Sequence, residues 1–238
     1  AFDIEFTDKD NKKCFPHQTS WGMTTRLIGA VIMTHGDDNG LVLPPAVAPI
    51  QVVIVPVAQH REGVLEKAAE LRDRLKKAGL RVKLDDSENS AGWKFSEYEM
   101  KGVPLRLEIG PRDIENNQCV LVTRCDREKS FVSLDNLEKE VENRLSYVRD
   151  TLYNKALENR QRRIYDCKTI DEINANLNEK GNGFIRAMWC GEPACEKAVK
   201  ESTGAGSRCI PLKQEKISDT CVCCGKPAEQ LVYWGRAY

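Results

Sequence analysis

Val52-Val53-Ile54-Val55-Pro56-Val57 is an unbroken apolar run without a single charged side chain. Such a run suits a strand covered on both faces, the situation of a parallel sheet. Downstream of it, Val64, Ala68, Leu71, Leu75 and Ala78 recur three or four residues apart and form one face of an amphipathic helix. Gly79 stands where a helix C-cap belongs. Leu80-Arg81-Val82-Lys83-Leu84 then alternates like a second strand. Strand, helix, strand is a βαβ unit, so the chain is read as α/β with a parallel pair at its centre. Val103–Ile109 and Cys119–Thr123 add strands, separated by Gly110-Pro111, and Phe131–Leu134 is expected to pair with the latter, giving a mixed sheet.

Further upstream lie a strand-like start, a polar loop from Thr7 to Lys13 and a glycine-containing apolar stretch. Pro44, Pro45 and Pro49 break regular structure, and a boundary is expected near residue 48. On the other side, Asp135 is placed to cap a long helix carrying Leu137, Val141, Leu145, Val148, Leu152 and Ala156 on one stripe. That helix is expected to run to about Tyr165 and to bridge two domains. A last small α+β unit begins near Cys167, with a strand from Phe184 to Trp189, a helix from about Ala194 to Ser202 and a strand from Leu231 to Trp234. The expected segments are therefore 1–48, 49–134, 135–166 and 167–238.

Lys plus Arg and Asp plus Glu balance at 36 each in 238 residues, so no whole-molecule charge draws nucleic acid, and any RNA contact must be local. No run of about 18 apolar residues is present for a membrane-spanning helix. Neither a membrane nor DNA is an expected partner. The start Ala1-Phe2-Asp3-Ile4-Glu5-Phe6 lacks a methionine and a leader-like core, and reads as a chain cut from something longer. Ten cysteines without a leader point to reduced thiols and a cytoplasmic location.

Four of those cysteines form two close pairs, Cys190/Cys195 and Cys221/Cys224, the second followed by Gly225. Zinc takes four soft or borderline ligands in a tetrahedron, and two short-spaced pairs supply them from two chain turns. Four thiolates leave no open position for water, so such a site is structural and not catalytic. Cys209 is the nearest competing ligand, with Cys223 behind it, and the bland alternative is a set of packed, idle thiols.

Residues 19–45 begin Thr19-Ser20-Trp21-Gly22-Met23-Thr24-Thr25-Arg26-Leu27-Ile28-Gly29. They continue through Thr34-His35-Gly36-Asp37-Asp38 to Gly40-Leu41-Val42-Leu43-Pro44-Pro45. This stretch resembles motif 3 of class II aminoacyl-tRNA synthetases, in the version carried by prolyl-tRNA synthetases of the archaeal and eukaryote-like type. The resemblance continues through Gly92-Trp93-Lys94-Phe95, Glu97–Pro104, Arg106–Asp113 and Ser207-Arg208-Cys209-Ile210-Pro211 to the cysteine pairs and Tyr238. Only residues 125–183 are carried by pattern more than by signature.

The resemblance implies that Arg26 grips ATP phosphates, a task suited to a permanently charged, forked guanidinium. It places Thr24 beside the nucleotide and sets Ser20, Trp21 and Gly22 along the floor of a proline pocket. It assigns anticodon reading to Glu99, Arg106, Arg112 and Asp113, pictured near one sheet edge. Proline anticodons end in two guanines, whose edges offer N–H donors to a carboxylate and acceptors to a cation. Without the resemblance, those four residues would be read as surface ion pairs of little weight. The resemblance also selects Cys190, Cys195, Cys221 and Cys224 as the zinc ligands and leaves Cys209 in a strand.

As a family, these enzymes use ATP and magnesium to join L-proline to tRNA(Pro), working as homodimers. Motifs 1 and 2 do not precede Ala1, so this chain by itself is expected to lack that activity. The competing expectations are a stand-alone RNA-binding module of the anticodon-binding kind and a purely structural zinc domain.

Overall fold

The computed structural model describes residues 3–179, 181 and 183–237. Ala1, Phe2 and Tyr238, which entered the sequence reading, lie outside the described residues. The chain divides into two compact units, Ala1–Leu145 and Ser146–Tyr238.

The first unit opens with a small antiparallel pair, β1 (Phe6–Thr7) and β2 (Lys13–Cys14), and a helix α1 (Arg26–His35). No residue of α1 is buried, and Leu27, Ile28, Ile32 and Met33 face solvent. The βαβ unit follows as expected, with β3 (Val52–Pro56), α2 (Val64–Lys77) and β4 (Val82–Leu84). Then come α3 (Ala91–Met100), β5 (Leu105–Ile109), the short α4 (Pro111–Glu115), β6 (Gln118–Thr123) and β7 (Lys129–Ser133). The strands lie in the order β4-β3-β5-β6-β7; β3 is parallel to both β4 and β5, and the rest pair antiparallel.

The two faces of this sheet differ. On one, Val52, Ile54, Leu105, Leu107, Ile109, Cys119, Leu121 and Val132 pack with Ala68, Leu71 and Leu75 of α2. Leu137, Val141 and Leu145, from the start of a long helix α5 (Leu137–Gln161), complete that core. Each such leucine, fully buried, stabilises the fold by about 1.5–3 kcal/mol. On the other face, Val53, Val55, Tyr98 and Val103 form a smaller cluster against α3. Strand alternation puts Arg106, Glu108, Val120, Val122, Lys129 and Phe131 on this second face. Phe131 there is 69% exposed.

Hydrogen bonds cross the expected boundary near residue 48, and the long helix ends earlier than expected. Leu41 and Leu43 donate backbone hydrogen bonds to the carbonyls of Met100 and Gly102, and the Arg81 guanidinium donates to the Ala48 and Pro45 carbonyls. The proline-rich stretch is thus tied down by backbone groups that sequence periodicity does not report. The long helix stops at Gln161, and Tyr165 lies in a strand, β8 (Ile164–Asp166). The chain turns through Arg162 and Arg163, whose amides close the last helical turns on Glu158 and Arg160.

The second unit places β8 parallel to β9 (Phe184–Trp189), with α6 (Ile170–Glu179) between them in sequence. Next come α7 (Pro193–Thr203), β10 (Ala205–Cys209) and β11 (Gln230–Arg236), in a sheet ordered β10-β11-β9-β8. Ile173 and Leu177 of α6 and Val199 of α7 pack with Ile185, Ala187, Val232 and Trp234. No described helix is long and apolar enough to cross a membrane.

Candidate nucleic-acid interface and metal centre

The face of the first sheet opposite α2 carries a pocket of about 160 Å³ lined by Tyr98, Glu99, Arg106, Thr123, Arg124, Arg127 and Lys129, with Val53, Val103 and Val122. Two of the four expected anticodon positions, Glu99 and Arg106, meet here. Arg106 projects from β5, the third of five strands, and not from a sheet edge as expected. Its guanidinium donates to Glu108 at 2.7 and 2.9 Å and lies 4.1 Å from the centre of the Phe95 ring. Glu99 pairs with Arg127. The Glu99–Arg127 pair is partly exposed and of modest worth, whereas Arg106 and Glu108 are largely buried. The use of both pairs is to hold the charged groups at fixed positions around the opening.

The other two positions lie at the far end of β5. Gly110 ends the strand, Pro111 occupies the first turn of α4, and Asp113 accepts a hydrogen bond from the Gly110 amide at 2.9 Å. That contact commits one carboxylate oxygen, Oδ2, to capping the helix. Arg112 is exposed, and among the described residues its guanidinium makes no hydrogen bond or ion pair. Four residue steps along the strand run from Arg106 to Gly110, roughly 13 Å. The four residues therefore form two pairs at opposite ends of one strand, and not one cluster.

The expected zinc ligands do converge. The sulfur atoms of Cys190, Cys195, Cys221 and Cys224 all lie within 4.8 Å of one another. Cys190 is 3.7 Å from Cys195 and 3.8 Å from Cys224. A tetrahedron with metal–sulfur bonds of about 2.3 Å has edges of about 3.8 Å, so the spacing and the all-thiol donor set both fit a closed four-coordinate metal site. Burial pushes the Cys221 thiol up, but backbone amides at Cys224, Cys223 and Cys190 pull it the other way, to about 7. Gly225 has a φ of +70°, which lets the turn after Cys224 close with its amide on the Cys221 carbonyl. Cys209 is exposed on β10, and neither it nor Cys223 belongs to the quartet.

At the N-terminal side, Ser20, Trp21 and Gly22 are exposed, Trp21 at 93%. Thr24 accepts a hydrogen bond from the Arg26 amide at the start of α1, and the Arg26 side chain is exposed and, among the described residues, without a partner. Asp37 has a structural partner in Arg124, at 2.6 and 2.8 Å.

Two family models match the chain: an anticodon-binding domain over residues 51–144, and the C-terminal domain of prolyl-tRNA synthetase over residues 170–238. The whole chain is 62% identical to the proline–tRNA ligase of Ruminiclostridium cellulolyticum and 58% identical to that of Clostridium botulinum. It is 57% identical to that of Clostridium novyi. The chain is similar, over its whole length, to the C-terminal half of these proline–tRNA ligases. It spans about half the length of these curated relatives, 49% of each, and corresponds to their C-terminal half.

Along this chain, the anticodon-binding match covers both ends of β5 and the pocket beside it. The C-terminal match contains all four clustered cysteines. Sequence reasoning missed Arg124, Arg127, Lys129 and the exposed ring of Phe131. The alternation Lys129-x-Phe131 already places the last two on one face. Only the fold tells that, among the described residues, no helix packs over the β6-β7 side of this face as α2 and α5 pack on the opposite one.

Proposed function

We propose that the chain supplies anticodon recognition, the motif 3 arginine and a zinc-stapled end to a cytoplasmic, homodimeric proline–tRNA ligase. In that enzyme the carboxylate of L-proline attacks the α-phosphate of ATP, giving prolyl-adenylate and releasing pyrophosphate. A hydroxyl at the 3′ end of tRNA(Pro) then attacks the prolyl carbonyl and releases AMP. Magnesium accompanies the ATP and neutralises phosphate charge. The Arg26 guanidinium, exposed at the start of α1, holds phosphate oxygens. Thr24 stands beside the nucleotide, and Ser20, Trp21 and Gly22 contribute the floor of the proline pocket.

The observation that carries the reading is the pair of charged ends on β5, inside the span matched by the anticodon-binding family. Each end offers one carboxylate and one guanidinium: Glu99 with Arg106, and Asp113 with Arg112. A guanine presents two N–H donors and an acceptor oxygen side by side, and one carboxylate plus one cation satisfies that edge. Two such sites, one beside each end of the strand, suit two guanines splayed out of their stack, as loop bases are read. Asp113 keeps Oδ1 for this purpose while Oδ2 caps α4.

Cys190, Cys195, Cys221 and Cys224 hold zinc, which stabilises the fold around them and leaves no position for substrate. Arg106→Ala and Asp113→Ala variants test the anticodon reading. Each is expected to weaken tRNA(Pro) binding by about tenfold or more, the loss typical of a charged base contact. Unchanged affinity in both would overturn it.

A further inference from the structure

The open sheet face continues past the Arg106 end of β5 onto the edge strand β7, and its pattern there is not explained by folding. Register lines up Arg106, Val122 and Lys129 in one row across β5, β6 and β7, and Glu108, Val120 and Phe131 in the next. Glu108 pairs with Arg106 at 2.7 Å and lies 3.9 Å from Lys129. Val120 and Val122 are buried, yet the neighbouring Phe131 ring is 69% exposed and Lys129 nearly as free. The Phe131 row lies along β5 between the Arg106 row and the end that carries Arg112 and Asp113. Two strand spacings, about 10 Å, separate it from β5.

An exposed aromatic ring beside a lysine, with Arg106 and Arg127 opening onto the adjoining pocket, is the arrangement of a single-stranded nucleic acid platform. Rings stack any base, and lysines follow the backbone phosphates. The adjoining pocket, about 160 Å³, is of the order that takes one aromatic ring, not a folded partner. We infer that Phe131 stacks an unpaired anticodon-loop base flanking the two guanines, and that Lys129 holds the phosphate beside it. This rests on the anticodon reading above and extends it to a third nucleotide.

The test uses the whole chain and an RNA hairpin carrying the tRNA(Pro) anticodon loop, with 2-aminopurine replacing in turn the loop base on either side of the guanines. Wild type is expected to quench one of the two probes on binding. Phe131→Ala is expected to abolish that quenching and weaken binding about tenfold, while Phe131→Tyr restores both. Lys129→Ala is expected to reduce the slope of log affinity against log salt by roughly 0.7. Because Phe131 is exposed, its replacement leaves the core untouched, and an unchanged thermal melt verifies this. Arg106→Ala separates the two claims. If Arg106→Ala weakens binding but Phe131→Ala retains wild-type affinity and quenching, the platform is wrong and the anticodon reading stands. If neither matters, both fall. If Phe131→Ala alters only self-association of the chain, the ring is a protein contact and the inference is overturned.

Discussion

Arg124 is 3% exposed, and burying a guanidinium without a partner is costly. Asp37 answers that charge with both carboxylate oxygens, and the Glu99 carbonyl accepts from Nε. The Arg124 hydrogen bonds hold the Asp37 carboxyl down to about 2, against an ordinary 3.8. A depressed carboxylate contributes stability above the unfolded value of 3.8 and loses it as pH falls through about 2. Urea midpoints measured across that window are expected to fall more steeply for wild type than for Asp37→Asn. At neutral pH the variant is expected to be less stable by about 1 kcal/mol, a small figure because Asp37 is partly solvated. Equal pH profiles would show that the pair carries no weight. The motif that contains Asp37 was readable as sequence, but not this partner, which lies 87 positions away.

Elements were legible where burial follows a simple period. The apolar run of β3, the stripe of α2 and the alternation of β5, β6 and β9 all lie where the sequence puts them. Helix α3 escaped notice because its buried residues are Lys94 and Tyr98, not an apolar stripe. Lys94 is inside because its ammonium donates to the Gln59 side chain at 2.8 Å and the Asp85 carbonyl at 2.9 Å. Helix α6 commits only Ile173 and Leu177 to the core, and β8 has three residues, too few to show a period. The end of α3 also fixes the preceding proline-rich segment. Gly102 has a φ of +70°, and a Cβ there would lie 2.6 Å from the Leu41 backbone. Gly102→Ala is therefore expected to cost about 2 kcal/mol or more, read as a lower urea midpoint with unchanged slope. A midpoint equal to wild type would mean that residues 41–48 pack independently of α3.

Across the whole molecule, the two candidate sites differ in how far sequence reached them. Spacing and chemistry pointed to a metal held by short cysteine pairs on tight turns, and the resemblance chose the four that the fold brings together. The residues proposed to read the anticodon were supplied by resemblance. Their division into two ends of a central strand, and the open face beside them, depend on which sheet face the helices cover. The core around the quartet, with Met188, Ala228 and Leu231 packed against Cys195 and Cys221, depends on the turns the cysteines hold. Chelation is expected to raise amide hydrogen exchange across residues 184–236 and leave residues 52–145 unchanged. Exchange unaffected by chelator in both regions would contradict a structural metal.

Anticodon recognition is the central claim, and the most direct measurement compares the affinity of this chain for the tRNA(Pro) anticodon hairpin with hairpins in which each guanine in turn is replaced by adenine. Adenine reverses the donor and acceptor pattern that a carboxylate and a guanidinium read. Each replacement is expected to weaken binding about tenfold or more, the discrimination typical of a good base contact. Equal affinity for all three hairpins would contradict the account.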